Sequence, residues 1–344
     1  MTHMPPTIRV VWLWRAMPGL LLIALLQVLP LASGRALVQE PTPIAPAEQA
    51  VPVQEPSVPP EDPRTPVFRA RSELVVLHVN VLDRRSDAVP DLPREAFTVF
   101  EEDRPQPIAF FEGAEVPVAV GLIIDNSGSM IARRAMVVAG ATTFAASSHP
   151  EDELFTVVFN EHVRFGLPPA IAFTQSQPLL TSSFARFPPG GRTALYDAVI
   201  AGLGHLERSQ HQKRALVVLS DGDDNASSHT RDEMLAKVSS SDALIYTIVN
   251  RIDVGGPADA ATMKRLAELS GGLAYTSNTE RAVVANFEEI AGNLRRGYSI
   301  GYAPPMVDST AYRRVRVTVR APGRNNLSVR VRHGYLPKGG NRAP

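Results

Sequence analysis

Seven apolar or small residues, Val118 to Ile124, run directly into Asp125-Asn126-Ser127-Gly128-Ser129. Near-continuous apolar runs of this kind mark parallel strands buried on both faces. Such a strand needs helices on both sides of its sheet, which restricts the chain to a layered α/β architecture. The polar residues that follow leave the end of a buried strand. They place a carboxylate and two hydroxyls at alternate positions, 125, 127 and 129. Oxygen donors without nitrogen or sulfur suit a hard cation such as Mg²⁺ or Ca²⁺.

The same pattern recurs downstream. Leu154–Phe159, Ala215–Leu219, Ala243–Val249 and Gly272–Thr276 read as further strands. Val163–Leu167 is expected to pair with the first of these through the turn Asn160-Glu161-His162. Ile131, Ala135, Val138, Thr142 and Ala145 have the spacing of one helix face, as do Leu195, Val199, Leu203 and Leu206. Strands alternating with helices predict a doubly wound α/β sheet, with helices on both faces, over residues 116–296.

The flanks read differently. Over 67–115, the runs Leu74–Leu82, Phe97–Phe100 and Ile108–Phe111 are short and separated by polar turns, which suggests antiparallel strands. Over 297–336, Val315, Val317 and Val319 alternate with arginines and a threonine. Leu327, Val329 and Val331 do the same beyond the turn Pro322–Asn326. This reads as a hairpin with one apolar face and one arginine-rich face, either solvated or covering the acidic N-terminal strands, with contact to an anionic surface polymer as the alternative. Neither flank has enough strands for a secure core. The two are expected to join in one β-sandwich-like region beside the α/β sheet.

Residues 1–36 read as a secretory signal. Arg9 and Arg15 precede an apolar stretch from Leu20 to Leu29, and small residues follow at Ala32-Ser33-Gly34-Arg35-Ala36. The alternative is an uncleaved anchor, for which the apolar core is short against a span of about 20 residues. Residues 37–66 hold nine prolines and read as a spacer; 337–344 form a tail. The chain has no cysteine, which excludes disulfides, thiolate catalysis and Cys-bound zinc. Acidic and basic residues balance at 35 each, which argues against a nucleic-acid partner. The balance hides a polarity: residues 36–115 carry 15 acids and 7 bases, and residues 292–344 carry 11 bases and one acid. The two ends are expected to attract each other, or to face different partners.

Two more sites complete the oxygen set. Asp221 follows the strand Ala215–Ser220, and Thr193 follows Gly190-Gly191-Arg192 at the start of a helical pattern. In open α/β sheets, ligands bind beyond the carboxyl ends of strands where strand order reverses. Asp125, Ser127, Ser129, Thr193 and Asp221 together resemble the metal-ion-dependent adhesion site of the von Willebrand factor A (VWA) family, whose signature is Asp-x-Ser-x-Ser. The resemblance implies Mg²⁺ (or Ca²⁺ or Mn²⁺) held by these five residues, with a coordination position left for an acidic group of a protein partner. It also implies an exported, non-enzymatic adhesion module, with a cell-envelope component among the candidate partners. The flanking runs Phe97–Asp103, Pro107–Phe111, Tyr298–Pro304 and Arg332–Tyr335 look like a bacterial VWA-related family described mainly from acidobacterial genomes.

Ser127, Ser129 and Thr193 taken singly read as helix caps, and Asp221-Gly222 as a turn. Asp223, Asp224 and Asn225 read as a solvated loop that tunes local charge, with direct ligation as the alternative, and Asp197 as a residue of the helix surface or one that supports a ligand. A phosphohydrolase of haloacid-dehalogenase type also starts from a strand-end aspartate. It needs a second acid two residues later, where this chain has Ser127. A structural envelope protein with an unused metal site is a further reading. A Ser-His-Asp hydrolase is disfavoured, because His149, His162, His205, His211 and His229 are scattered and no nucleophile elbow is present.

Overall fold

The computed structural model describes residues 74–85, 87–250, 257–305 and 310–337. Residues 1–36, read as a signal, residues 37–66, read as a spacer, and all but the first residue of 337–344 lie outside them. The first strands are β1 (Val75–Leu82), β2 (Phe97–Glu101), β3 (Arg104–Gln106) and β4 (Ile108–Glu112). The α/β layer follows: β5 (Val118–Asp125), α1 (Arg134–Ala146), β6 (Glu153–Phe159), β7 (Val163–Phe165), α2 (Gln177–Ala185), α3 (Leu195–Leu206), β8 (Lys213–Ser220) and α4 (Arg231–Ser240). It continues through β9 (Leu244–Asn250), α5 (Pro257–Ser270), β10 (Ala274–Ser277) and α6 (Glu280–Arg296). The chain returns to strands in β11 (Tyr298–Tyr302), β12 (Arg313–Val319), β13 (Ser328–Arg330) and β14 (Gly334–Tyr335).

The central sheet has the order β10-β9-β8-β5-β6-β7, parallel except for the β6–β7 hairpin. β5 lies between β6 and β8, so the winding reverses between β5 and β8. Side chains of β5 alternate between two cores. Val118, Val120, Leu122 and Ile124 pack with α1, α2 and α6, while Ala119 and Ile123 pack with α3, α4 and α5. Helices therefore cover both faces. Leu195, Val199, Leu203 and Leu206 are fully buried as their spacing predicts, each contributing roughly 1.5–3 kcal/mol. Gly121 has no room for a side chain, because an added Cβ would lie 2.3 Å from the Phe155 ring. That close approach lets Phe155 of β6 fold over β5.

The flanking strands form two four-stranded antiparallel sheets, β13-β1-β11-β4 and β14-β12-β2-β3. Each mixes strands from both ends of the chain. Val75, Leu77, Val79, Phe97 and Val99 share one core with Tyr298, Ile300, Tyr302, Val315 and Val317. Arg324 pairs with Asp91, Arg314 with Glu102 and Arg316 with Asp103, so the acidic and basic ends of the sequence meet.

Two readings are corrected. The runs 314–320 and 327–332 do not form a hairpin: β12 pairs with β2 and β14, whereas β13 pairs with β1 in the other sheet. Alternation shows which face is buried but says nothing about which strand lies alongside. Its arginine face also splits, since Arg332 is buried and donates to Ser241 O and Val76 O. In α1 the buried positions are Val137, Gly140, Ala141, Phe144 and Ala145, while Ile131 is 56% exposed. The first six positions, Gly128–Arg133, form a tighter 3-10 turn, which shifts the phase of the helix behind it.

At the amino ends of the central strands, Lys213 is buried and its Nζ donates to Gly297 O at 2.6 Å. Burial pulls its pKa down to about 8, with Arg295 adding to the fall. An unfolded lysine titrates near 10.4. Between about pH 8 and 10 the unfolded chain therefore holds more protons, so stability rises with pH, by on the order of 3 kcal/mol in all. Above pH 10 the buried Tyr246 and Tyr302, whose pKa values burial raises, reverse the trend. A thermal-melting series is expected to peak at about pH 10, with the rising limb absent in Lys213→Met. A rising limb kept in that variant would assign it to another group.

Candidate metal centre

All five expected ligands lie along the carboxyl edge of the central sheet, on three loops beside the β5/β8 reversal. Asp125 is the last residue of β5 and is buried. Its Oδ1 accepts from Ser127 N at 2.9 Å and its Oδ2 from the Ser220 hydroxyl at 2.6 Å. Ser220 ends β8, so these bonds clamp the first loop to the third. The Ser127 and Ser129 hydroxyls lie 3.1 Å apart. Ser127 is buried and Ser129 is exposed at the rim.

The second loop is tied to both others through its backbone. Gly128 N donates to Gly191 O at 3.1 Å, and Gly190 N to Asn126 O at 2.9 Å. Gly191 has φ +84°, which favours glycine, and an added Cβ would collide with the Glu161 carboxylate. Thr193 is buried. Its N–H donates to Asn225 Oδ1 at 2.9 Å, and its carbonyl accepts from Asn225 N and Ala226 N. Asp224 Oδ2 accepts from Tyr196 N at 3.0 Å. Asp224 and Asn225 therefore stitch the second and third loops together, while Asp223 and Asn225 stay exposed, as a solvated loop would be. Asp197 caps the turn at Ser228 and His229, consistent with a structural place on α3.

Asn126 and Asn160 escaped the sequence reading. Asn126 Nδ2 donates to Pro188 O at 2.8 Å, and its Oδ1 accepts from Arg134. Asn160 Nδ2 donates to Gly190 O, and its own carbonyl accepts from Ala194 N. Asparagine at strand ends is a signal for such loop stitching, because one side chain offers both donor and acceptor.

Burial raises the Asp125 carboxyl to about 6. The hydrogen bonds from Ser127 and Ser220 oppose this, and the nearby Asp221 charge adds to it. Asp221 Oδ1 is buried with no hydrogen-bond partner. Leaving such an atom unsatisfied costs about 1–3 kcal/mol or more for a charged group. A hard cation relieves both conditions, so the residues present fit one. Among the described residues no three His, Cys, Asp or Glu gather at one point. The set at this rim is two carboxylates and three hydroxyls.

A cleft of about 910 Å³ lies elsewhere, between α4, α5 and β12. Two of its arginines, Arg314 and Arg316, are engaged by Glu102 and Asp103. It is the larger space, but the strand-end rim has the convergent polar groups. Two of the histidines have packing or loop-bracing places, and His229 Nδ1 bonds Asp197 Oδ1 at 2.7 Å. His205 is boxed by Phe155, Phe165 and Phe173, and Ser228 bonds to Asp197 instead of to His229. His78, which sequence reasoning passed over, is buried beside Ser299 and pushed down to about 3, first by burial and then by the Lys213 charge.

No family model matches the sequence, and comparison with curated proteins returns no match. Among solved structures, the chain is similar to a von Willebrand factor type A protein from Catenulispora acidiphila. That match has 13% identity and a TM-score of 0.45, covering 76% of this chain and 73% of that one. It is also similar to the vWF domain of the type V pili tip protein Mfa5 from Porphyromonas gingivalis (14% identity, 52% and 95% covered, TM-score 0.45). A third similar structure is an aerotolerance-related membrane protein from Bacteroides fragilis (14%, 52% and 98%, TM-score 0.41). At TM-scores under 0.5 these likenesses carry no weight beside the strand order described above.

Proposed function

We propose that the strand-end rim holds one divalent cation, Mg²⁺ or in its place Ca²⁺ or Mn²⁺, at Asp125, Ser127, Ser129, Thr193 and Asp221. The chain is read as an exported, non-enzymatic module that captures an acidic group of a protein partner. The buried, unpartnered Asp221 Oδ1 beside an oxygen-only donor set carries the reading. A bound cation would supply an electrophilic point to which a partner carboxylate binds. The protein's part is to hold the donors in place: Ser220 fixes Asp125, and Asn225 fixes the Thr193 loop.

Export rests on the signal-like sequence of residues 1–36. Among the described residues no helix is long and apolar enough to cross a membrane. The phosphohydrolase reading finds less support. Position 127 offers a hydroxyl bonded to Ser129 instead of a proton-donating acid. Lys213, the lysine nearest in sequence to the third loop, lies at the far end of β8 with its amine on Gly297 O.

Capture of a partner from the envelope fraction of the source cells tests the proposal. It is expected to be lost on adding EDTA, restored by excess Mg²⁺ and absent in Thr193→Ala. Capture undiminished by EDTA would count against the proposal.

A further inference from the structure

Arg133 closes the 3-10 turn that begins at Gly128. Its guanidinium Nη1 lies 3.9 Å from Asp221 Oδ2, and the two side chains are only 11% and 10% exposed. The other contact of that nitrogen is the thioether of buried Met130, at 3.8 Å. The neighbouring Arg134 is used differently, donating to Asn126 Oδ1 and Phe184 O and so bracing the first loop. At 3.9 Å the Arg133–Asp221 pair is an ion pair without a direct hydrogen bond. One oxygen of Asp221 thus faces a fixed positive charge, and the other is buried and unpartnered.

Two positive charges on one carboxylate oppose each other. In a partly buried site this repulsion is screened far less than in water. We propose that Arg133 is an internal competitor for Asp221, holding that carboxylate in the cation-free protein and weakening the site's affinity for the divalent ion. The inference rests on the cation reading of the rim. It gives the site a threshold: the ion binds only at concentrations high enough to displace or outweigh the guanidinium. An arginine suits this task because a guanidinium stays charged across the physiological pH range, so its own share of the threshold does not change with acidity.

Calorimetric titration of the full-length protein with Mg²⁺ and with Mn²⁺ tests this, with thermal melting as a check on folding. Arg133→Met keeps the apolar stem against Met130 and removes the charge. Its Kd for either ion is expected to fall by about tenfold or more. Arg133→Lys keeps a charge near Asp221 and is expected to stay within about threefold of the natural chain. An Arg133→Met Kd equal to or weaker than that of the natural protein overturns the inference. If Asp221→Asn abolishes binding in the same series, that result leaves the cation reading standing. Absence of binding in the natural chain and in both arginine variants overturns both together. Binding seen only in Arg133→Met supports the competitor role in its strongest form. Should Arg133→Met fail to fold, Arg133→Gln replaces it with the same expected direction.

Discussion

Asp125→Ala is expected to remove saturable Mg²⁺ binding while the central sheet stays folded. Asp125 is the most buried acid at the rim and the one fixed by both the first and third loops. Changing the groups that only support a metal ligand typically costs 10–100-fold in affinity. Loss of the carboxylate itself is therefore expected to weaken binding by at least about 100-fold. The cost to the fold is smaller because two effects oppose. The variant strands two donors, Ser127 N and the Ser220 hydroxyl, at about 1–3 kcal/mol for a buried group left unpaired. It also removes a carboxylate that burial disfavours as an anion. β5 remains paired along its length to β6 and β8. Titration calorimetry and thermal melting together check this. An unchanged cation affinity in a folded variant would remove Asp125 from the site.

Glu101→Ala is expected to give a large loss of stability, about 3–5 kcal/mol. Glu101 is buried at the end of β2. Its Oε1 accepts from Arg313 Nη1 at 2.9 Å, and its Oε2 from the hydroxyls of Tyr302 at 2.5 Å and Tyr335 at 3.0 Å. One acid from the N-terminal flank thus joins three strands of the C-terminal flank, β11, β12 and β14. Removing it takes the acceptor from two hydroxyls and the countercharge from Arg313, which keeps its bond to Pro305 O at 3.2 Å, and the lost charge pairing dominates the cost. Replacing both charged partners, as in Glu101→Leu with Arg313→Met, is expected to recover much of the loss. Denaturant unfolding measures both variants. A single substitution costing under about 1 kcal/mol would show that the two flanks are held together without this cluster.

The parallel strands were legible because β5, β6, β8 and β9 are buried on both faces, and burial of that kind writes a continuous apolar run. Convergence of Asp125, Thr193 and Asp221 on one sheet edge followed from placing each at a strand end or helix start. α4 could have been found from Thr230 and Glu233, which form a capping box, although the helix has little apolar content. β3 was hidden because Glu102 and Asp103 read as a stop. They take positive φ and turn the chain straight into a hairpin instead. The partner of β12 was not legible, since pairing across more than 200 residues leaves no local mark. Nor was Arg133: a basic residue after Ser129 reads as helix surface until its distance to Asp221 is known.

Five oxygen-bearing side chains are proposed to share one cation. Pulsed electron paramagnetic resonance of the full-length protein titrated with Mn²⁺ reads that sharing directly, because it reports both stoichiometry and ligand nuclei. The expected result is one tightly held Mn²⁺ per chain, with no nitrogen coupling in its spectrum and the signal lost in Asp125→Ala. A folded sample that holds no manganese, or one whose ion shows histidine nitrogen, would contradict the account.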